Sequence, residues 1–569
     1  MSYKIRENID TDTRNGFKEY SDILSHLLFH RGIKTREEAE VFLSPSYDTG
    51  VYDPFLLRDM DKATERILKA IENKEKICIY SDYDADGIPG AVVLHDLFKR
   101  IGYDNFINYI PDRSEEGFGL HKEAMEKIAK EGVGLMITVD CGIADKDCVD
   151  YAKTFGIETI ITDHHLPHET IPNAFAIVNP KISGDYPDQM ICGAGVAYKL
   201  AQGLLAKNRF GLKEGEEKWL LDMVGIATLS DMVPLVNENR CFAYFGLKVL
   251  RKSRRIGLIK LLQKLKIDQS KLTEDDVGFM ITPRINAASR MGISYDAFKL
   301  LTTTDVLEAN LLVDKLEKVN KDRKTTTAHL VKEVKKHIEA KYSPYFNNKV
   351  IVAGDPTWKP SLLGLVANSL AEKENKPVFL WGRDGMQEAL KGSCRSVGEV
   401  SVTDIMNRVA HGVFNEFGGH HLAGGFSVSH ESIHLLEEEL ERAYEKCGAV
   451  AGEIEKWADS AVTLSEINSD FVRQVEMVAP FGTGNPKPLF LITNAPVESV
   501  QMFGKTKEHL KVILVKPNGG VLEAISFFAS EKLFEQASGK KTLSLVGVVE
   551  RSFFLNKESI RIRIEEIID

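Results

Sequence analysis

Between residues 75 and 180 the chain alternates short apolar runs with segments of helical spacing. "KICIYSD", "GLMITVDCG", "IETIITDHH" and "FAIVNP" read as strands, each a brief β-branched or apolar run bounded by polar residues. "GAVVLHDLFKRIG", "HKEAMEKIAKEG" and "CVDYAKTFG" carry apolar residues three and four apart, and Gly102 sits where a helix C-cap is expected. This alternation predicts a parallel α/β sheet covered by helices. Helical sequence dominates from Ala194 to about residue 340, with a long charged stretch over 305–340 that suits a bridge between two domains. A second α/β unit runs from "NKVIVAGD" through "LLGLVANSLAEKE" and "PVFLWG" to "GGHHLAGGFSV" and a charged helix over 430–446. After Trp457 the character changes. "HLKVILVKPNGGVLEAISFF" and "KTLSLVGVVERSFFLNKESIRIRIEEI" each read as two strands around a tight turn, and a barrel of the OB type suits that length.

The expected organisation is therefore an N-terminal helical segment (1–50), a parallel-sheet α/β domain (51–304), a connecting helix (305–345), a second, smaller α/β domain (346–450) and a C-terminal β-barrel (458–569). At 569 residues such a chain holds several domains. No apolar stretch reaches the ~20 residues a membrane helix requires, and the N-terminus lacks the apolar core of a signal peptide. Seven scattered cysteines without a C-x-x-C pair argue against a disulfide framework or a zinc ribbon and predict a cytoplasmic protein. The net charge of −10 does not exclude nucleic acid, because binding depends on where cations cluster. Two stretches are locally basic, 251–266 and 318–336, and each also reads as a solvated helix face.

The chemistry concentrates at strand ends. "YSDYDADGIPG" puts Asp82, Asp84 and Asp86 at alternate positions behind the first strand. Asp140 ends the second strand, and Asp163, His164 and His165 end the third. The carboxyl ends of parallel strands share one edge, where open α/β folds bind ligands. A single Asp-rich turn is ordinary loop chemistry, but acids and imidazoles at three consecutive strands converge on one crevice. Carboxylates crowded together raise each other's pKa unless a cation lies among them. Asp and His ligands without sulfur suit Mn²⁺ or Mg²⁺. Asp231, in "GIATLSDMVPL", follows a helix and closes the cluster. Two such cations, bridged by a carboxylate, suit phosphodiester hydrolysis, and Asp140 on the middle strand is the expected bridge.

"DYDADG", "ITVDCGIA", "TDHH" and "ATLSDMVPL" stand in the order and approximate spacing of the motifs of the DHH phosphoesterase family, which the chain resembles. Beyond them, "YIPDRSEEGFGL", "CGAGVAYKL", "PRINAASRMG", "KGSCRS", "FGGHHLAGGF" and "PFGTGNPKPLF" are similar to the family's branch of bacterial single-strand-specific 5′→3′ DNA exonucleases. The resemblance covers nearly the whole chain. It implies metal ligation by Asp82, Asp84, Asp86, Asp140, His164 and Asp231, with the D-x-D pair open to two registers. It implies that His165 faces the scissile phosphate as a catalytic residue beside Asp140. It implies that Arg113, Arg290, Ser393 and Arg395 line the phosphate path, with His420 facing the ligand. Arginine suits this task through bidentate, permanent charge.

The same resemblance implies single-stranded DNA as substrate, a narrow passage between the two α/β domains, and a second DNA surface on the barrel. It also implies work in DNA recombination and repair beside a helicase and a single-strand-binding protein. The chain departs from the family pattern at Lys359 and Ser361, where His and Gly are usual, at Cys394 for Ala and at Ser289 for Gly. Two other readings differ in prediction. Relatives acting on small nucleotides lack the C-terminal barrel, and non-catalytic relatives lack metal-binding residues that are all present here.

Overall fold

The computed structural model describes residues 3–568 apart from 114, 343–347, 384–388, 399, 448–455, 505–506 and 555–556. Two compact units emerge: one formed by 54–231 and 248–454, the other by 1–53, 232–247 and 455–569.

In the first unit, five strands form a wholly parallel sheet: β1 (Lys76–Ser81), β2 (Phe106–Tyr109), β3 (Val133–Val139), β4 (Glu158–Thr162) and β5 (Ala176–Val178). Their order is β2-β1-β3-β4-β5. β2 was not foreseen: "FINY" is a four-residue, half-buried edge strand with neither alternation nor a continuous apolar run. α1 (Gly87–Arg100), α2 (Lys122–Lys130), α3 (Lys146–Thr154) and α4 (Gly193–Lys207) follow. α1 and α4 bury most of their residues, so the periodicity that marks the amphipathic α2 is fainter in them. With the order 2-1-3-4-5, the direction of winding reverses between β1 and β3. That switch point is where such sheets bind ligands.

Further helices include α5 (Leu221–Ser230) and α6 (Thr282–Arg290), then the 36-residue α7 (Val306–Lys341). α7 buries Ala309, Leu312, Val313 and Leu316 in its first half, and Leu330 and Val334 in its second. The latter two join the core of the smaller domain with Ile351, Ala353, Trp358 and Leu362. That domain contains β6 (Ile351–Gly354), α8 (Pro360–Glu374), β7 (Val378–Gly382), β8 (Leu390–Arg395), β9 (Phe414–Gly419) and β10 (Ala423–Val428). Its sheet is mixed, ordered β9-β10-β8-β7-β6, with only β6 and β7 parallel. The basic run 251–266 serves structure. Arg255 is buried between Asp96 (2.6 Å) and Asp222 (2.7 Å), and Arg251 Nε donates to Leu272 O.

The second unit contains a closed barrel of β11 (Phe490–Phe503), β12 (His509–Val515), β13 (Val521–Ser526), β14 (Thr542–Phe554) and β15 (Lys557–Ile568). β11 pairs with both β12 and β14, while β13 and β15 run parallel, which closes the ring. β11 escaped the sequence reading because Pro496 and the left-handed Asn494 (φ 52°) interrupt it at a bulge. The N-terminal residues Phe17, Leu24, Leu27 and Leu28 share one core with Val462, Phe490, Leu545 and Ile562. Lys4–Ile5 also pairs with Trp457–Ala458.

Candidate metal and phosphate site

The backbone ladder runs one residue past each strand and so aims the acids. Asp82 N donates to Val139 O (3.1 Å), Asp140 N to Thr162 O (2.9 Å) and Asp163 N to Val178 O (3.2 Å). Asp140 itself takes a left-handed backbone (φ 62°) at the switch point. A Cβ on Gly193 would lie 2.5 Å from the Asp140 side chain, so only glycine fits there.

The predicted ligands converge. Ligand atoms of Asp82, Asp84 and Asp140 lie within 4.8 Å of one another, as do those of Asp86, His164 and Asp231, and those of Asp140, His164 and His165. His164 Nε2 is 3.2 Å from Asp140 Oδ1, 3.7 Å from Asp86 Oδ2 and 3.8 Å from Asp231 Oδ2. The aspartates differ in their other contacts. Asp86 accepts from Gly193 N (2.6 Å) and Ala194 N (2.7 Å) at the start of α4. Asp84 Oδ1 accepts from the Asp86 and Gly87 amides. Asp82 Oδ1 and Asp140 Oδ1 are buried without a hydrogen bond.

This donor set fits a hard divalent cation. Burial, then repulsion from Asp84, pushes the Asp82 carboxyl well up. Burial, then repulsion from Asp86, Asp84, Asp82 and Asp231, does the same to Asp140. Burial and Asp84 raise Asp86 to about 7, and burial with Asp86 and Asp84 raises Asp231 to about 8. The Asp231 side chain keeps 31% of its surface exposed, so solvent screens part of that effect. Burial and neighbouring His165 bring His164 down to about 3, leaving the neutral imidazole that metals bind. The nearby thiols of Cys141 and Cys192 are pushed well up by burial and offer no thiolate. Oxygen and imidazole donors remain, the set that suits Mn²⁺ or Mg²⁺.

Asp163 has a different task. It accepts from Ile143 N, His164 N and His165 N, and from His165 Nδ1 at 2.8 Å, fixing that ring with Nε2 outward. Burial alone would lower His165, but the hydrogen bond and charge of Asp163, with Asp82 and Asp231, raise it to about 9. His420 lies over it, ring centroids 6.5 Å apart, and Phe118 meets it edge-on at 5.4 Å. Lys181 donates to the His164 carbonyl. The D-H-H motif contains Asp163, yet only the fold shows that it orients a histidine.

The predicted arginines gather as well. Burial, then Arg113, Arg395 and Arg323, depress the Arg290 guanidinium to about 9. Among the described residues none of these four arginines has an ion-pair partner, and the Nε atoms of Arg290 and Arg323 are buried without a hydrogen bond. Arg113 stacks on Tyr83 (5.0 Å), between Asp82 and Asp84. Ser393 and Arg395 lie on β8; Ser393 Oγ and Arg395 Nη2 would be 3.6 and 2.9 Å from a Cβ on Gly364, which leaves them room. Arg323, in the middle of α7, carried no sequence signal beyond a basic stretch. Of the departures, Ser361 is used: its carbonyl accepts from Arg290 Nη1 (2.6 Å), and its hydroxyl donates to Arg290 O (3.1 Å). Lys359 stands at the N-cap position of α8 without a side-chain capping bond, and Cys394 and Ser289 are buried.

On the barrel, an aromatic group stands out. His509 meets Phe503, Phe527 and Phe528 at 5.2, 5.4 and 5.0 Å, and Arg561 lies 5.4 Å over Phe527. Phe528 is 79% exposed on a left-handed backbone (φ 55°).

Acids and imidazoles at the switch point of a parallel sheet, joined by one long helix to a smaller α/β domain, define a DHH-type phosphoesterase. Residues 76–228 match the DHH family N-terminal domain, 347–451 the DHHA1 domain and 458–566 the RecJ OB domain. The chain is 34% identical to the single-stranded-DNA-specific exonuclease RecJ of Bacillus subtilis over 96% of this chain and 67% of that protein. It is 30% identical to the protein of the same name from Haemophilus influenzae, over 96% of each chain. The crystal structure of Thermus thermophilus RecJ in complex with Mn²⁺ superposes with a TM-score of 0.79 at 24% identity, covering 98% of this chain and 77% of that one. The chain belongs to the RecJ family. Among the described residues no helix is long and apolar enough to cross a membrane.

Proposed function

We propose that this protein is a metal-dependent exonuclease that degrades single-stranded DNA from its 5′ end. The observation that carries the reading is a group of arginines with no ion-pair partner among the described residues, in the same unit as a crowded group of buried carboxylates and histidines. One asks for an anion and the other for a divalent metal, and a polynucleotide with Mn²⁺ or Mg²⁺ supplies both.

In this reading Asp82, Asp84 and Asp140 would hold one cation, and Asp86, His164 and Asp231 would hold a second. When bound, the two cations neutralise the carboxylates and supply the Lewis acidity that phosphodiester hydrolysis uses. The protein's own groups do the rest. Arg113, Arg290, Ser393 and Arg395 grip backbone phosphate, and the permanently charged guanidinium suits that task. His165, held by Asp163, presents Nε2 to the scissile phosphate, and His420 borders it from the smaller domain. A passage between the two α/β domains, too narrow for a duplex, selects single strands. The barrel adds a surface on which Phe527 and Phe528 stack bases.

As the setting we propose recombination and repair, beside a helicase and a single-strand-binding protein, which the resemblance implies. Seven cysteines without a disulfide fit a cytoplasmic location. The test uses single and double strands labelled at either end, with Mn²⁺, Mg²⁺ or EDTA. Shortening of single strands from the 5′ end, abolished by EDTA, is expected. Degradation from the 3′ end, or equal attack on duplexes, overturns the reading.

A further inference from the structure

The aspartates of the first loop stand at alternate positions, and the residues between them are held from outside the loop. Asp84 Oδ1 takes the amides of Asp86 and Gly87. The amide of buried Ala85 is left over, and it donates to Asn286 Oδ1 at 3.0 Å. The donor is an amide, so chemistry requires the oxygen of Asn286 at that place. The Ala85 N–H lies in the peptide plane that joins Asp84 to Ala85, so the bond to Asn286 fixes the plane beside Asp84, and Asp84 Oδ1 in turn holds the Asp86 amide in the next plane.

Asn286 does not act alone. Thr282, Asn286 and Arg290 follow at i, i+4 and i+8 on α6, hence on one helical face. Thr282 Oγ1 lies 2.5 Å from Ser230 Oγ, and Ser230 immediately precedes Asp231. Arg290 bonds Ser361 at the start of α8. One face of one helix thus touches the Asp82–Asp86 loop, the neighbour of Asp231 and the smaller domain. α6 follows directly on a π-helical turn, Asp276–Ile281, a register change frequent at functional sites.

We propose that Asn286 is a positioning residue for the metal site, holding Asp84 and Asp86 in register through the Ala85 amide. It acts through the Ala85 amide rather than as a ligand. The inference rests on the cation part of the proposed function alone, and its test reads Mn²⁺ directly, so it stands or falls apart from the DNA reading.

Mn²⁺ binding is followed by the loss of the free-ion EPR signal for wild type, Asn286→Ala and Asn286→Asp, with thermal unfolding in EDTA as the folding check. Asn286→Ala is expected to weaken Mn²⁺ binding by about 10–100-fold, the usual effect of removing a group behind a metal ligand. Asn286→Asp keeps an acceptor for the Ala85 amide and restores most of the binding. On DNA, Asn286→Ala lowers kcat while KM changes little, because the arginines are untouched. Wild-type Mn²⁺ affinity in Asn286→Ala overturns the proposal. So does an Asn286→Asp variant, folded by the same check, that binds Mn²⁺ as poorly as Asn286→Ala.

Discussion

Removing the charge of Asp140 should stabilise the metal-free protein while weakening its response to metal. Asp140 has a buried oxygen with no hydrogen bond to lose, and its left-handed backbone suits asparagine better than alanine. Its ligand atom lies within 4.8 Å of those of Asp82 and Asp84. Two unit charges at that separation repel by about 3.5 kcal/mol at an effective dielectric near 20. Protonation of the neighbours already relieves part of this, so the net gain for Asp140→Asn is about 1–3 kcal/mol at pH 8. The pH dependence follows. A carboxyl whose folded pKa lies above its unfolded value binds more protons when folded, so stability falls as pH rises through the window between the two. Here the window runs from the ordinary 3.8 to about 7 for Asp86 and about 8 for Asp231. Thermal unfolding in EDTA at one scan rate is the assay. Wild type should melt progressively lower from pH 5 to pH 8. Asp140→Asn should melt higher at pH 8 by about 2–4 °C per kcal/mol, with the gap closing toward pH 5. Saturating Mn²⁺ reverses the order, because Asp140→Asn has lost a ligand and gains less binding free energy than wild type. A pH-independent wild type in EDTA, or an Asp140→Asn protein less stable at pH 8, refutes the repulsion argument.

Three further outcomes are expected. A 5′-phosphorylated strand should bind wild type better than a 5′-hydroxyl strand, and Arg395→Ala should lose about 1.5–3 kcal/mol of that preference, read by titrating both strands at one salt concentration. Gly364→Ala should reduce the same preference with no charge removed, because its Cβ arrives 2.9 Å from Arg395 Nη2, while helix stability rises by up to about 1 kcal/mol; an undiminished preference counts against the clamp. Phe528→Ala should weaken single-strand binding by about 1–3 kcal/mol with the initial rate on a saturating short oligonucleotide unchanged, and unaltered affinity removes the barrel surface from the DNA path. This substitution is cleaner than deleting the barrel, since Phe17, Leu24, Leu27 and Leu28 would lose their core.

How much of this was legible depended on whether residues are read where they stand or where they arrive. The strand ends carrying Asp82, Asp140 and His164 were legible because parallel winding sends carboxyl ends to one edge, so position along a strand predicts position in space. The 14-residue β11 was not, because a proline, a left-handed asparagine and a bulge erase its alternation. The N-terminal helices gave no sign of their packing partner: an apolar face specifies burial, never against what. The arginines of the phosphate group came from motif resemblance rather than pattern, and Arg323 was hidden in a basic run whose other members face solvent. Asn286 lay in a quoted motif yet had no assigned task, since a hydrogen bond across 201 residues leaves no local trace.

The spacing of the aspartates has a physical reason beyond charge. Were the three carboxylates contiguous, no residue would stand between them for other elements to grip. At alternate positions, the residues between become handles: Tyr83 carries the ring on which Arg113 stacks, and Ala85 carries the amide that Asn286 takes. Arg113 belongs to the phosphate group, and Asn286 shares a helical face with Arg290, which does too. The loop that gathers negative charge is therefore held by the elements that gather positive charge. A change at Tyr83, which joins Asp82 to Asp84 and seats Arg113, should reach both metal and phosphate affinity, whereas a change at Asn286 should reach metal affinity alone.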